Sequence, residues 1–163
     1  MKPFLIPNTP HFNLDFIKYH LKGVILSGGN DLIEVGGDAP ERDDMEQSLL
    51  KYCPEHHIPV LGVCRGMQLG GVFYRGKLEK IPNHTGTRHS ISWQNAKREV
   101  NSYHNYGFLR VPDCFEILAK AEDNIIESIH HKSESFLGIM WHPEREVKPD
   151  PLDVQLFKGH FHL

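Results

Sequence analysis

Two short apolar runs, each closing on glycines and separated by one helix-length segment, limit this chain to an α/β sheet. The first, Gly23-Val24-Ile25-Leu26-Ser27, leads into Gly28-Gly29 and reads as a buried strand entering a tight loop. Residues 43–52 (DDMEQSLLKY) follow, with Met45, Leu49 and Leu50 at helical spacing. The acidic residues of that segment fall in its first turn, where the helix dipole favours them. The second run, residues 58–63 (IPVLGV), continues into Cys64-Arg65-Gly66-Met67-Gln68-Leu69-Gly70-Gly71-Val72-Phe73, whose small residues permit a sharp turn into a helix. Strand, helix and strand in this order imply parallel pairing beneath a helical cover.

From about Lys77 the character changes. Residues 89–93, 99–103, 125–130 and 136–141 are short extended pieces between turn residues, expected to extend the sheet and add an antiparallel ribbon. Residues 157–163 are expected to close a terminal helix or fray. At 163 residues the chain has room for one ordinary core, so a single domain over residues 1–163 is expected. With 39% hydrophobic residues, 24% charged and a net charge of −3, it fits the soluble globular class and lacks the basic excess that nucleic-acid binding requires. No apolar run approaches the roughly 20 residues of a membrane span, and the opening MKPFLIPNTP has no signal-peptide core, so no membrane partner and a cytoplasmic location are expected. Cys53, Cys64 and Cys114 are an odd number at wide spacing, which suits neither a disulfide framework nor a C-x-x-C zinc site.

Gly62, Cys64 and Gly66 form G-x-C-x-G at a junction of strand and helix, the cysteine counterpart of a hydrolase nucleophile elbow. A sulfur there is lifted clear of the backbone, the helix N-terminus favours its thiolate, and the N–H of Arg65 stands where an oxyanion would form. Cys64 as a small buried hydrophobe is the alternative, and the flanking glycines argue against it. A thiolate nucleophile needs a base. In Gly138-Ile139-Met140-Trp141-His142-Pro143-Glu144 an apolar strand ends in His142, and the proline turn lets Glu144 reach back to one imidazole nitrogen.

Together GVCRGMQ and GIMWHPE resemble the signatures of the class I glutamine amidotransferase-like family, which opens γ-glutamyl amides with a Cys-His-Glu triad. The resemblance runs from about Pro3 to the C-terminus. It implies a flavodoxin-like α/β three-layer sandwich with a mostly parallel central sheet, and a triad of Cys64, His142 and Glu144. Gly28 and Gly29 resemble the family's oxyanion strand, whose backbone N–H works with that of Arg65. Gln68 matches the glutamine that holds the glutamyl part, and Ser102, Tyr103, His104, Asn105 and Tyr106 lie in a segment resembling the loop that cradles the α-amino and α-carboxyl groups. The chemistry so implied passes through a γ-glutamyl thioester and needs no metal or organic cofactor.

Within the family, the V-N-S-x-H and W-H-P-E forms resemble the free-standing γ-glutamyl hydrolases more than amidotransferase subunits. That branch includes hydrolases of nucleotide amidates in capsule synthesis, which would place phosphate contacts at Arg88 and His89. A solvated polar loop is the alternative for those two residues. Two other functions stay open: a glutaminase subunit delivering ammonia to a synthetase, and a non-catalytic homologue. The stretch Pro3-Phe4-Leu5-Ile6-Pro7-Asn8 resembles the family's second strand, so the usual first strand is expected to be absent and the domain N-terminally shortened. A first strand belongs between its neighbours in a flavodoxin-like order, so its absence predicts exposed strand edges that invite pairing with another copy, a homo-oligomer, unless residues 4–7 shift into the vacant place. The pairs His56-His57, His130-His131 and His160/His162 suggest metal at first sight. Adjacent strand residues point to opposite faces, so no metal site is expected of them. Residues 41–46 (ERDDME) read as a helix start.

Overall fold

The computed structural model of the chain describes residues 2–9, 12–94 and 96–163, with the side chains of Phe16, Ile17 and Tyr19 outside that description. The anticipated strand-helix-strand unit is present. β1 (Val24–Leu26) leads through the glycine loop to α2 (Pro40–Glu55), then β2 (Val60–Val63), and α3 (Arg65–Phe73) follows directly; a short α1 (Asp15–His20) precedes them. The C-terminal half holds β3 (Glu79–Lys80), β4 (Thr85–Trp93), β5 (Ala96–Tyr103), β6 (Tyr106–Gly107), β7 (Phe115–Ala121), β8 (Ile126–His131), β9 (Phe136–Ile139) and a terminal α4 (Pro151–His160). Asp150 caps α4 by accepting the N–H of Leu152 at 2.8 Å.

The main sheet runs β1-β2-β9-β8-β7-β4-β5. Parallel pairing is confined to β1, β2 and β9, and the remaining four joints are antiparallel. The architecture is therefore α/β with a mixed sheet, less parallel than expected, and the connections give the reason. The β1 to β2 link carries a crossover helix, whereas β7 reaches β8 through residues 122–125 and β8 reaches β9 through residues 132–135, lengths that permit only hairpins. β7 escaped the sequence reading because bulges near Ala119 break its alternation.

Side-chain alternation splits the core into two layers. Val24, Leu26 and Val60 face α2 and α3, together with Leu49, Leu50, Met67 and Phe136. Leu61, Val63, Ile139 and Trp141 face the other way, toward Leu156 and Phe157 of α4. Each such fully buried aliphatic side chain contributes roughly 1.5–3 kcal/mol. The close fit of α3 on the strands depends on glycine: a Cβ on Gly66 would lie 2.2 Å from the carbonyl oxygen of Leu26, and one on Gly62 would lie 2.4 Å from the backbone of Gly66.

Residues 3–8 form no strand, which corrects the expectation for that stretch. They do not move into the place beside β1 either: among the described residues β1 pairs only with β2, leaving one edge bare and Ile25 about half exposed at 54%. The predicted exposed edge is thus present. Among the described residues no helix is long and apolar enough to cross a membrane.

Candidate active site

β2 and β9 are parallel neighbours, with Val63 opposite Ile139, so the residues that follow them emerge at the same end of the sheet. Cys64 follows β2 at once and His142 comes three residues after Ile139. Cys64 occupies the N-cap of α3 with φ 49° and ψ −101°, a left-handed conformation for a residue bearing a Cβ, costing about 1–3 kcal/mol. Its N–H donates to the carbonyl of Ile139 at 2.7 Å, fixing the turn to β9. The elbow geometry therefore exists as read from G-x-C-x-G. The N–H of Arg65 favours the thiolate, but burial outweighs it and pushes the Cys64 thiol up to about 12. Glu127 and Glu144 push further in that direction and Arg145 opposes them.

His142 Nδ1 lies 2.6 Å from Glu144 Oε1. The carboxylate can only accept, so Nδ1 donates; in the neutral ring Nε2 then holds the lone pair, and among the described residues it is buried without a hydrogen-bond partner. The backbone of His142 is clamped from both sides by Asn101 of β5: its N–H donates to Asn101 Oδ1 and its carbonyl accepts from Nδ2, each at 2.8 Å. Gly28 packs against the imidazole, where a Cβ would come within 2.6 Å of Cε1. Tyr103 meets the ring edge-on at 5.7 Å, and the Arg145 guanidinium covers Tyr103 at 4.2 Å.

The glycine loop is held from behind by Arg42, which donates to the carbonyls of Ser27 at 2.7 Å and Gly28 at 3.2 Å and pairs with Glu46 at 2.8 Å. Glu46 and Asp43 also bind the guanidinium of Arg65, which is 1% exposed. The segment read only as a helix start is thus also the anchor of the residue after Cys64. A signal was available: Asp43 and Glu46 share a face with Met45, Leu49 and Leu50, and carboxylates buried at helical spacing require a cation.

On the opposite side Gln68 Nε2 donates to the carbonyl of Tyr106 at 2.8 Å, and His104 Nδ1 approaches the same oxygen at 3.0 Å. Ser102 Oγ donates to the carbonyl of His84 at 2.6 Å, and Thr85 Oγ1 donates to Asn105 at 2.8 Å. Within the 102–106 segment, the Tyr106 carbonyl is thus tied to Gln68 of α3, while Ser102 and Asn105 are held by His84 and Thr85. Arg88 and His89, expected to act together, are separated. Arg88 turns to Glu146 at 2.7 Å near Asn101, while His89 turns inward to Glu127 at 3.4 Å. Neighbours on β4 point to opposite faces. A cavity of about 480 Å³ between the bare edge of β1 and α4 touches Gly28 and Glu144, lined otherwise mainly by apolar residues such as Ile25, Val63 and Phe157.

The family model for peptidase C26 matches residues 2–144. The chain is 34% identical over 160 residues to the γ-glutamyl-CDP-amidate hydrolase of Campylobacter jejuni, covering 97% of this chain and 78% of that protein. It is 27% identical over 149 residues to one subunit of the glutamine-hydrolysing GMP synthase of Methanocaldococcus jannaschii, covering 86% and 73%. Among solved structures, the crystal structure of a putative GMP synthase subunit from Thermoplasma acidophilum superposes with a TM-score of 0.75 at 22% identity, covering 96% of this chain and 78% of that one, a likeness of fold.

Proposed function

The chain belongs to the peptidase C26 family of class I glutamine amidotransferase-like proteins, and on that premise we propose that it hydrolyses γ-glutamyl amides through Cys64. The observation that carries this reading is the state of His142: one nitrogen donates to Glu144 while the other presents a buried, unpartnered lone pair at the end of the strand next to Cys64. Such an imidazole is ready to accept a thiol proton. The resting thiol fits a nucleophile ionised only as it reacts.

The steps follow from those groups. His142 Nε2 takes the Cys64 proton as sulfur forms a bond to the γ-carbonyl carbon, and the N–H groups of Gly29 and Arg65 receive the oxyanion. The imidazolium, steadied by Glu144, gives its proton to the leaving nitrogen as the C–N bond breaks. Water then attacks the γ-glutamyl thioester while His142 takes its proton, and the thiol leaves with that proton. Glutamate and a free amine or amidate result. Gln68 and the segment 102–106 hold the glutamyl end.

The likeness to the Campylobacter protein favours a γ-glutamyl nucleotide amidate as substrate. Arg88, half exposed and paired with Glu146, is the cation to meet its phosphates. The likeness to GMP synthase subunits favours a second reading, a glutaminase that serves a synthetase. Glutamate release from a panel of glutamine, γ-glutamyl-γ-aminobutyrate and γ-glutamyl nucleotide amidates separates the two. The first reading predicts highest kcat/KM on an amidate, with KM raised by Arg88→Ala for that substrate and unchanged for γ-glutamyl-γ-aminobutyrate. Activity on glutamine alone, rising when a synthetase is added, establishes the second.

A further inference from the structure

Behind the 102–106 segment lies a group of side chains, His84, His89 and Glu127, that the proposed hydrolysis does not use, joined by the inward nitrogen of His104. Glu127 of β8 is 0% exposed, and three imidazoles surround its Oε1: His84 Nδ1 at 3.3 Å, His89 Nε2 at 3.4 Å and His104 Nε2 at 3.5 Å. Among the described residues none of these atoms has a partner in good hydrogen-bond geometry, nor do Glu127 Oε2 and His89 Nδ1, although all are buried. A carboxylate withdrawn from water costs several kcal/mol unless positive charge faces it.

Proton accounting makes the group stranger. His84 Nε2 lies 2.9 Å from Asp123 Oδ2, and a carboxylate oxygen accepts, so that nitrogen carries the hydrogen. His104 Nδ1 lies 3.0 Å from the carbonyl of Tyr106 and carries its hydrogen for the same reason. A neutral imidazole has one N–H and one lone pair. The remaining nitrogens of His84 and His104 therefore aim lone pairs at the lone pairs of Glu127. Such an arrangement repels unless a metal cation or an added imidazole proton stands between them, and, although burial disfavours it, both carboxylates beside His84 favour its protonated form.

We propose that His84, His89 and Glu127 bind a divalent transition metal of the zinc class, with His104 Nε2 adjoining as a fourth donor. Potential ligand atoms of the first three lie within 4.8 Å of one another. Zinc bonds of about 2.0–2.1 Å place tetrahedral ligand atoms roughly 3.3–3.4 Å apart, the spacing found around Glu127 Oε1. Imidazole with carboxylate suits zinc, cobalt or iron and disfavours magnesium or calcium. The outer partners fit as well: metal-bound histidines hand their second N–H to a carboxylate or a backbone carbonyl, and His84 and His104 do so to Asp123 and Tyr106. An ion here ties β4 and β8 to the segment carrying the Tyr106 carbonyl, to which Gln68 donates. None of the residues involved belongs to the adjacent histidine pairs of the sequence.

The test is titration of chelator-treated protein with Co²⁺ in a Cys64→Ala background, read by visible absorption, and with Zn²⁺ by calorimetry. One ion per chain is expected, without a thiolate charge-transfer band. Glu127→Gln and His89→Ala should remove stoichiometric binding, His130→Ala should leave it unchanged, and Asp123→Asn, at an exposed turn position, should weaken it by roughly 10–100-fold. Circular dichroism checks that the buried substitutions fold, and Asp123→Asn carries the test if they do not. No stoichiometric binding, a thiolate band, or binding indifferent to Asp123→Asn would overturn the assignment. None of these readouts depends on the hydrolytic activity.

Discussion

Around β2 and α3 the buried charge is concentrated in Arg65 and its partners Asp43 and Glu46, set in an apolar core closed by glycine contacts. Across β4, β5 and β8 the interior instead holds His84, Asn101, Ser102, His104, Glu127 and Ser128, polar groups drawn from strands far apart in sequence. The parallel limb holds the elbow through one ion-pair hub, and the antiparallel limb holds the recognition segment through many weaker hydrogen bonds. The two ends of one sheet are thus held by different chemistry.

Cutting the hub is the strongest challenge to that contrast. Arg65→Ala leaves Asp43 and Glu46 buried without their shared cation, and removal of one partner from a buried pair costs about 3–5 kcal/mol. Chemical denaturation should show a loss of that size, whereas a change under about 1 kcal/mol would mean the hub carries little. The weaker effect concerns pH. His131 of β8 and His160 of α4 are both held below the ordinary histidine value of 6.5, chiefly by burial. His131 Nδ1 accepts the N–H of Glu134 at 3.0 Å, a bond that needs the neutral ring. Because the folded values are depressed, the unfolded chain takes up protons first as pH falls through about 6.5, and stability declines there. The double variant His131→Gln, His160→Gln should flatten the unfolding midpoint between about pH 7.5 and pH 5.5; an unaltered slope would remove these two residues from the explanation.

The same contrast explains what could be read from the chain. Cys64 with its glycines and His142 with Glu144 are local signals, each contained within a few residues at the end of one strand, so elbow and imidazole-carboxylate pair were both legible. Asp43 and Glu46 were visible as residues but not as partners of Arg65, because the contact spans two helices. The group around Glu127 was not legible, since His84, His104 and Glu127 converge only once antiparallel register is fixed, and bulges in β4 and β7 shift that register away from simple alternation. For the same reason Arg88 and His89, adjacent in sequence, face different neighbours.

The proposed reaction has a covalent signature at one atom. Rapid acid quenching during turnover of a slowly deacylating γ-glutamyl ester or anilide, followed by peptide mass spectrometry, looks for a γ-glutamyl group on the peptide containing Cys64. A hydroxylamine-labile adduct at Cys64, absent from Cys64→Ala together with all glutamate release, is the predicted result. Glutamate release that persists in Cys64→Ala would contradict it.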